Sequence, residues 1–258
     1  MNSYQIKLAI KHGRNALGEI LYVRFGRDIT KPVFFYSLST YRCNARCLSC
    51  YSWKEPTSSE ELTIDEWQKS LLSIKDFVGE FSISFSGGEP LIKKGFIELL
   101  EFCRNNGIHA GFTTNGIRLT KITAKRIAAA QPFNVNISVD GPSAEIHDYL
   151  RGQPGIFDKV SQGITYLMEE RAELNSHFPI IIKPTINAVN FQQMPALIEW
   201  AKKIGATAIN FQPVDDWSWP QETRNLLWIK SSDFPMLSSV IDQLIDMKKD
   251  GAPILNSN

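Results

Sequence analysis

From about residue 33 onward, short apolar runs rich in β-branched and aromatic residues alternate with stretches of helical periodicity. That alternation, more than any other feature, restricts what the chain can fold into. Strands are expected at Val33–Leu38, Phe81–Phe85, His109–Thr113, Asn134–Val139, Ile180–Ile186 and Ala208–Phe211. Between them lie helical patterns. The first begins at a capping box, Thr63 through Glu66, followed by Trp67, Leu71, Ile74 and Val78 at helical spacing. Further helices are expected at Phe96–Cys103, Ile122–Ala130, Phe157–Glu170, Met194–Ile204 and Phe234–Lys249. The units recur at intervals of roughly 25–35 residues, as strands joined by right-handed helical crossovers do. The economical solution is an α/β fold with a parallel sheet and helices outside it.

The remaining segments are read by exclusion. Residues 1–32 form an N-terminal extension, expected as an amphipathic helix over Ile6–Leu17 and a short strand over Glu19–Phe25, with a covering role. Residues 33–214 form the core, and 215–258 a C-terminal helical segment. The polar stretch Lys54–Glu61 reads as a loop. Hydrophobic residues make up 43% of the chain, enough for a large core, and the net charge of +1 gives no sign of nucleic-acid or membrane-surface binding. No run of about 18 apolar residues offers a membrane span, and the N-terminus lacks the apolar centre of a signal peptide. A cytoplasmic, reducing location is therefore expected.

Directly after the first expected strand comes Cys43-Asn-Ala-Arg-Cys47-Leu-Ser-Cys50. A disulfide framework suits neither four cysteines in 258 residues nor so large a core. Zinc would want a fourth ligand, and the histidines at 12, 109, 147 and 177 show no ligand spacing. Cys103 falls within a helical pattern and reads as a small buried residue. Three thiolates on one loop suit a four-iron cluster with one iron left open. Arg42 and Arg46 would favour their deprotonation by placing positive charge nearby.

Polar and glycine-rich turns follow the later strands, at the edge where parallel α/β folds carry their chemistry. They are Gly87-Gly88-Glu89-Pro90, Thr113-Thr114-Asn115-Gly116 and Ser138-Val139-Asp140-Gly141-Pro142, then His147-Asp-Tyr-Leu-Arg151-Gly152. Taken singly, each also reads as an ordinary turn, and Arg151 as a solvated helix-end arginine. Together, with the cysteine loop in this order, the run from Lys31 to Val214 resembles the radical S-adenosylmethionine superfamily. Within it, the pattern is similar to the branch of SPASM-type peptide maturases and cofactor-biosynthesis enzymes. Those relatives carry a C-terminal auxiliary-cluster domain. This sequence stops at Asn258, as a shorter relative or a truncated piece would.

The resemblance implies a partial (βα)6 TIM-like barrel of parallel strands with outer helices. It implies a [4Fe–4S] cluster on Cys43, Cys47 and Cys50, with S-adenosylmethionine bound at the open iron. Reductive cleavage would then yield a 5′-deoxyadenosyl radical that takes hydrogen from a peptide or small precursor, with electrons from an external flavodoxin- or ferredoxin-type donor. Gly87 and Gly88, with Pro90 closing their turn, would let the backbone approach the methionine end. Glu89 and nearby carbonyls would receive its ammonium group, and Arg151 its carboxylate. Thr114 and Asn115 belong to this set by position, and Ser138 and Asp140 would serve the ribose or the methionine moiety. Asn187 and Gln212 point by position toward ribose and adenine. His147 is expected to be a structural hydrogen-bonding group. Trp217 and Trp219 would line a substrate site near the mouth or pack under another domain. The family usually places an aromatic residue, which packs near adenine, just before the third cysteine. Here that residue is Ser49, so Tyr51 or Phe211 would have to stand in. Two rivals remain: a zinc-dependent barrel hydrolase, for which no ligand set is visible, and a non-catalytic iron–sulfur scaffold or electron carrier, which would not need the glycine and Ser–Asp–Arg motifs.

Overall fold

The computed structural model describes residues 3–50, 53–54, 60–215 and 219–257. Helix α1 (Ser3–Phe25) precedes strand β1 (Phe34–Thr40). Then follow α2 (Ile64–Val78), β2 (Ser82–Gly87), α3 (Phe96–Asn105), β3 (His109–Thr114), α4 (Lys121–Ala130) and β4 (Val135–Ile137). Two helices come next, α5 (Ala144–Arg151) and α6 (Ile156–Glu173), then β5 (Ile180–Ile182), β6 (Thr185–Ile186) and α7 (Met194–Lys203). The chain closes with β7 (Ala208–Ile209), β8 (Gln212–Pro213), α8 (Gln221–Leu227) and α9 (Phe234–Lys249). Six strands pair in parallel in the order β1-β2-β3-β4-β5-β7, and β6 pairs with β8 in a second, two-stranded sheet. This is the expected parallel part-barrel.

The core lies between the sheet and its helices. Trp67, Phe85, Phe96 and Phe112 form a run of edge-to-face ring contacts, with centroids 5.4, 5.7 and 5.4 Å apart. All four rings are buried, so removing any of them would open a cavity in α2, α3 and the strands together. The other face of β2–β4 carries small polar residues. Asn134 donates to Asn136 Oδ1 at 3.0 Å, and Asn136 to Thr113 Oγ1 at 3.3 Å.

Three differences from the sequence reading have physical causes. Glu19–Phe25 is helix, because α1 runs unbroken from Ser3 to Phe25. Its β-branched and aromatic residues would favour a strand, but a helix already begun at Ser3 propagates through them residue by residue. The helix is held at the N-terminal ends of the strands instead. Lys7 pairs with Glu80 at 2.9 Å, Lys11 reaches the carbonyls of Pro32 and Glu80, and Asn15 bonds Lys31 in both directions. The fifth strand splits at Lys183-Pro184, since proline has no N–H to continue the ladder. Only Ile180–Ile182 stays in the main sheet. Finally, α5 forms over the His147–Arg151 motif, to which the sequence reading assigned no helix beyond a helix-end arginine at Arg151. Its buried residues are His147, Leu150 and Arg151, an i, i+3, i+4 face with two polar members that hydrophobic periodicity does not register.

At the far edge, Pro253–Asn256 lies beside β7. Ile209 donates to Pro253 O at 2.8 Å, Leu255 donates to Ile209 O at 2.9 Å, and the Asn256 side chain satisfies both backbone groups of Phe211. That edge is thereby covered. No described helix is long and apolar enough to cross a membrane.

Candidate active site

The C-terminal ends of the strands surround a cavity of about 490 Å³. Cys43, Cys47 and Cys50 border it, together with Gly87, Gly88, Thr114, Asn115, Ser138, Asp140 and Arg151. Four positions singled out in the sequence do not: Glu89, Pro90, Asn187 and Gln212 lie behind or beside the wall. Thr185, Pro213, Val214 and Trp219 also border the cavity.

The cysteine loop is held at both ends. Toward the sheet, the Gly88 N–H donates to Thr40 O at 2.7 Å and the Glu89 N–H to Arg42 O at 2.8 Å. A Cβ on Gly88 would collide with Arg42 O, and one on Gly87 with Thr40 O; Gly87 also has φ +113. Both glycines are thus required by the packing of turn against loop, before any ligand is considered. Toward α5, the Arg46 N–H donates to Arg151 O at 3.3 Å and the Leu48 N–H to Leu150 O at 2.9 Å. Glu61, which the sequence gave no role, anchors the start of the loop. It accepts from the Thr40 hydroxyl, the Tyr41 N–H and Lys93. Burial works against its charge, but these donors outweigh burial and hold its carboxyl at about 2.

Glu89 is fully buried and faces away from the cavity. Its carboxylate accepts from the Thr114 hydroxyl at 2.7 Å, the Asn115 N–H at 2.7 Å and the Leu91 N–H at 3.1 Å. Burial pushes its carboxyl up, partly countered by those bonds. It ties its own glycine turn to the Thr114–Asn115 turn from beneath. Asn187 is likewise structural. Its Oδ1 accepts from the Val189 N–H, and its backbone N–H donates to Asn190 Oδ1. Asn190, which the sequence reading overlooked, donates at 2.8 Å to the Asp140 carbonyl. Gln212 Nε2 turns to Asn210 Oδ1 and Phe211 O.

The charges at the site form one chain. Arg151 Nη2 pairs with Asp140 Oδ2 at 2.8 Å, and Nη1 points at Cys47 Sγ, 3.6 Å away. Asp140 Oδ1 accepts from the Thr185 N–H at 2.9 Å. His147 Nδ1 accepts from the Asp140 N–H at 3.1 Å, the structural role expected of it. Burial, helped by the Arg151 charge, holds His147 at about 3, so the ring is neutral. Burial opposes the Arg151 charge, yet Asp140 and Cys47 outweigh it and push the guanidinium upward. Among the described residues, the cation that reaches a thiol is therefore Arg151. Arg42 lies 3.8 Å from Glu61, and Arg46 spends its Nη1 on the carbonyls of Cys43 and Ala45. The sequence had assigned the deprotonating charge to those two. Cys43 and Cys47 are both raised, chiefly by burial, with the Ala45 N–H and Arg151 respectively working against it.

Do these residues fit an iron–sulfur cluster and its ligand? All four cysteines are free, and three of them face one cavity with a guanidinium beside them. Arg151 Nε is buried without a partner, a donor left over for an anionic group. Cys103 is buried in α3, pushed up to about 12 by burial alone, and takes no part. The donor set fits. The aromatic position is also answered. Phe211 is packed in the hydrophobic core and does not border the cavity, and Tyr51 and Trp217 lie outside the described residues. Trp219 does border it, and its indole N–H donates at 3.0 Å to the carbonyl of Ser49. It thus stands beside the residue where the family's aromatic is missing.

Fold and rim define the class: a parallel α/β part-barrel with a thiol-lined site at the C-terminal strand ends. The chain belongs to the Radical SAM superfamily, which residues 37–201 match. It is 33% identical over 172 residues to the AdoMet-dependent heme synthase of Methanosarcina barkeri, covering 66% of this chain and 47% of that protein. It is 29% identical over 188 residues to the mycofactocin maturase MftC of Mycolicibacterium smegmatis, covering 72% and 46%. The chain thus spans about half the length of the curated relatives it matches. Among solved structures, SuiB of Streptococcus suis bound to the precursor peptide SuiA superposes with a TM-score of 0.70 at 17% identity, covering 87% of this chain and 48% of SuiB. AdoMet-bound anSMEcpe gives 0.67 at 22%, covering 86% and 61%.

Proposed function

We propose that this chain is the cofactor-cleaving core of a radical S-adenosylmethionine enzyme acting on a C–H bond of a peptide or small biosynthetic precursor. One observation carries the reading: three free thiols share a single cavity with the glycine turn, the Thr114–Asn115 turn, Ser138, Asp140 and Arg151. Cys43, Cys47 and Cys50 would hold a [4Fe–4S] cluster and leave one iron for S-adenosylmethionine. When bound, this pair supplies one-electron cleavage of the sulfonium to a 5′-deoxyadenosyl radical able to take hydrogen from a substrate.

The chain's own residues bind and orient. Arg151 serves the cofactor's carboxylate with the N–H groups that Asp140 and Cys47 leave unused. The backbone at Gly87 and Gly88 lies open to its ammonium end, and Glu89 acts from behind by fixing the Thr114–Asn115 turn. Ser138 offers its hydroxyl to the ribose, while the Thr114 hydroxyl is held by Glu89. Trp219 supplies the apolar wall for adenine. Asn187, Gln212 and Pro90 support the wall rather than touch the cofactor. Residues 33–214 form this core, with 1–32 an extension beneath it and 215–258 a C-terminal segment. A reducing, cytoplasmic compartment suits the thiols. A relative named as a heme synthase supports the small-precursor class, and a relative named as a mycofactocin maturase, with a structural neighbour bound to its precursor peptide, supports the peptide class.

The test is anaerobic reconstitution. About four irons and four sulfides per chain are expected, with 5′-deoxyadenosine formed from S-adenosylmethionine under a strong reductant. A protein that holds the cluster but makes no 5′-deoxyadenosine would be a scaffold or electron carrier. Stoichiometric zinc in place of iron would end the reading.

A further inference from the structure

A second groove, of about 910 Å³, runs along the outer side of the cysteine loop. Its walls are Asn44 of that loop, the turn into α4, Gln153 and the first half of α6. Three basic residues line it: Arg118, Lys121 and Lys159, all exposed, against one acid, Asp158. Beyond the loop, Arg46 and Lys54 flank the ring of Trp53 at 5.4 and 5.2 Å, adding positive charge beside the same loop. The nearby Asp148, which accepts from the N–H groups of Gly155 and Phe157, keeps its negative charge and offsets these cations only in part. With a net charge of only +1 over the whole chain, this basic face is a local concentration.

The groove and the thiol cavity are separated by two side chains in contact, Asn44 and Asn115. Asn44 Oδ1, in the groove lining, accepts from Asn115 Nδ2 at 2.8 Å, and that same Nδ2 lies 3.8 Å from Cys43 Sγ in the cavity. A body resting in the groove therefore sits two non-bonded contacts from a sulfur, without entering the cavity that the cofactor would fill.

We propose that this groove is the docking face for the electron donor, a small acidic redox protein of the flavodoxin or ferredoxin kind. The inference rests on the cluster assignment above and adds the partner's place. Basic charge around a concave site steers an acidic partner and orients it on arrival. The step is one electron: the donor is oxidised by one, the cluster is reduced by one, and no bond or proton moves.

The test is rapid mixing of anaerobically reconstituted protein with reduced flavodoxin, following the cluster's visible absorbance. Reversing three charges (Arg118→Glu, Lys121→Glu, Lys159→Glu) should slow reduction by flavodoxin at low salt about tenfold or more and flatten its dependence on ionic strength. Reduction of the same variant by dithionite, which needs no docking, should be unchanged. A control triple on other faces (Arg14→Glu, Arg27→Glu, Lys203→Glu) should keep the parent rate. The single Lys159→Gln, on an exposed helix position, should show a smaller slowing and serves if the triple variant does not fold. Flavodoxin reducing the groove variants at the parent rate, or the control slowing as much, would overturn the docking face. Failure of the parent protein to assemble a cluster would instead overturn the functional reading beneath it.

Discussion

The two ends of the barrel both carry a cavity, and the larger one is at the wrong end for chemistry. At the N-terminal ends of β3–β5, about 760 Å³ lies among Leu100, Arg104, His109, Phe133, Asn134 and His177. The thiol cavity at the other end holds about 490 Å³. What separates them is the cost of their polar groups. At the thiol end an arginine, an aspartate, a glutamate and a histidine are buried together, and two of their nitrogens lack partners. At the lower end, desolvation depresses His109, but the ring is only half-buried and lies edge-on to Phe133 with centroids 5.5 Å apart. Volume follows from strand geometry, whereas buried charge must be held in place by specific partners, and it is the better guide to function.

The contrast can be broken most sharply at Cys47. Cys47→Ala should abolish cluster assembly and with it all 5′-deoxyadenosine, read by iron content and product analysis. His109→Gln at the lower cavity should leave both at the parent level. Equal damage at the two ends would refute the contrast.

The ion pair offers the next largest effect. Arg151→Gln removes positive charge beside Cys47, a proposed cluster ligand, so the midpoint potential of the reconstituted cluster, measured without S-adenosylmethionine, should fall. Asp140→Asn removes negative charge, so the potential should rise. A merely structural role would not give opposite signs.

Below these comes acid stability. His147 stays neutral down to about pH 3 when folded but takes a proton near 6.5 when unfolded. The unfolded chain thus binds more protons between those values, and stability falls as pH drops through that window, by about 1.4 kcal/mol per pH unit. His147→Gln should flatten this slope in denaturant titrations of the metal-free protein between pH 6.5 and pH 4.5. The smallest change expected is from Glu89→Gln, which weakens bonds to Thr114 and Asn115 and should cost about 1–3 kcal/mol of stability. Because Glu89 lies behind the wall, 5′-deoxyadenosine formation by the folded fraction should persist.

How much was legible beforehand depended on the range of the interaction. The strand–helix alternation, the capping box at Thr63, the cysteine loop and the rim motifs are contiguous in sequence, and each could be read where it stands. The α5 helix was missed because two of its buried residues are polar: His147 and Arg151 both meet Asp140, and Arg151 also reaches the distant Cys47. Asn187 follows a strand as expected, whereas Gln212 opens β8 instead of ending the sixth strand, and both side chains turn into neighbouring backbone because β6 and β8 form a ladder of their own. Glu61 carried no local signal, since its partners are Thr40, Tyr41 and Lys93; Asn190 bonds locally to Asn187 and Thr185, but its reach to the Asp140 carbonyl is long-range.

The sequence by itself determined a parallel α/β chain with three thiols after its first strand, since periodicity and spacing are properties of neighbouring residues. The tertiary structure decided which charge meets which sulfur. It brought Arg151 to Cys47 in preference to the adjacent arginines, sent Glu89 beneath the floor and brought Trp219 beside Ser49. Those choices depend on how separate strand ends converge, and on burial that penalises any polar group left without a partner.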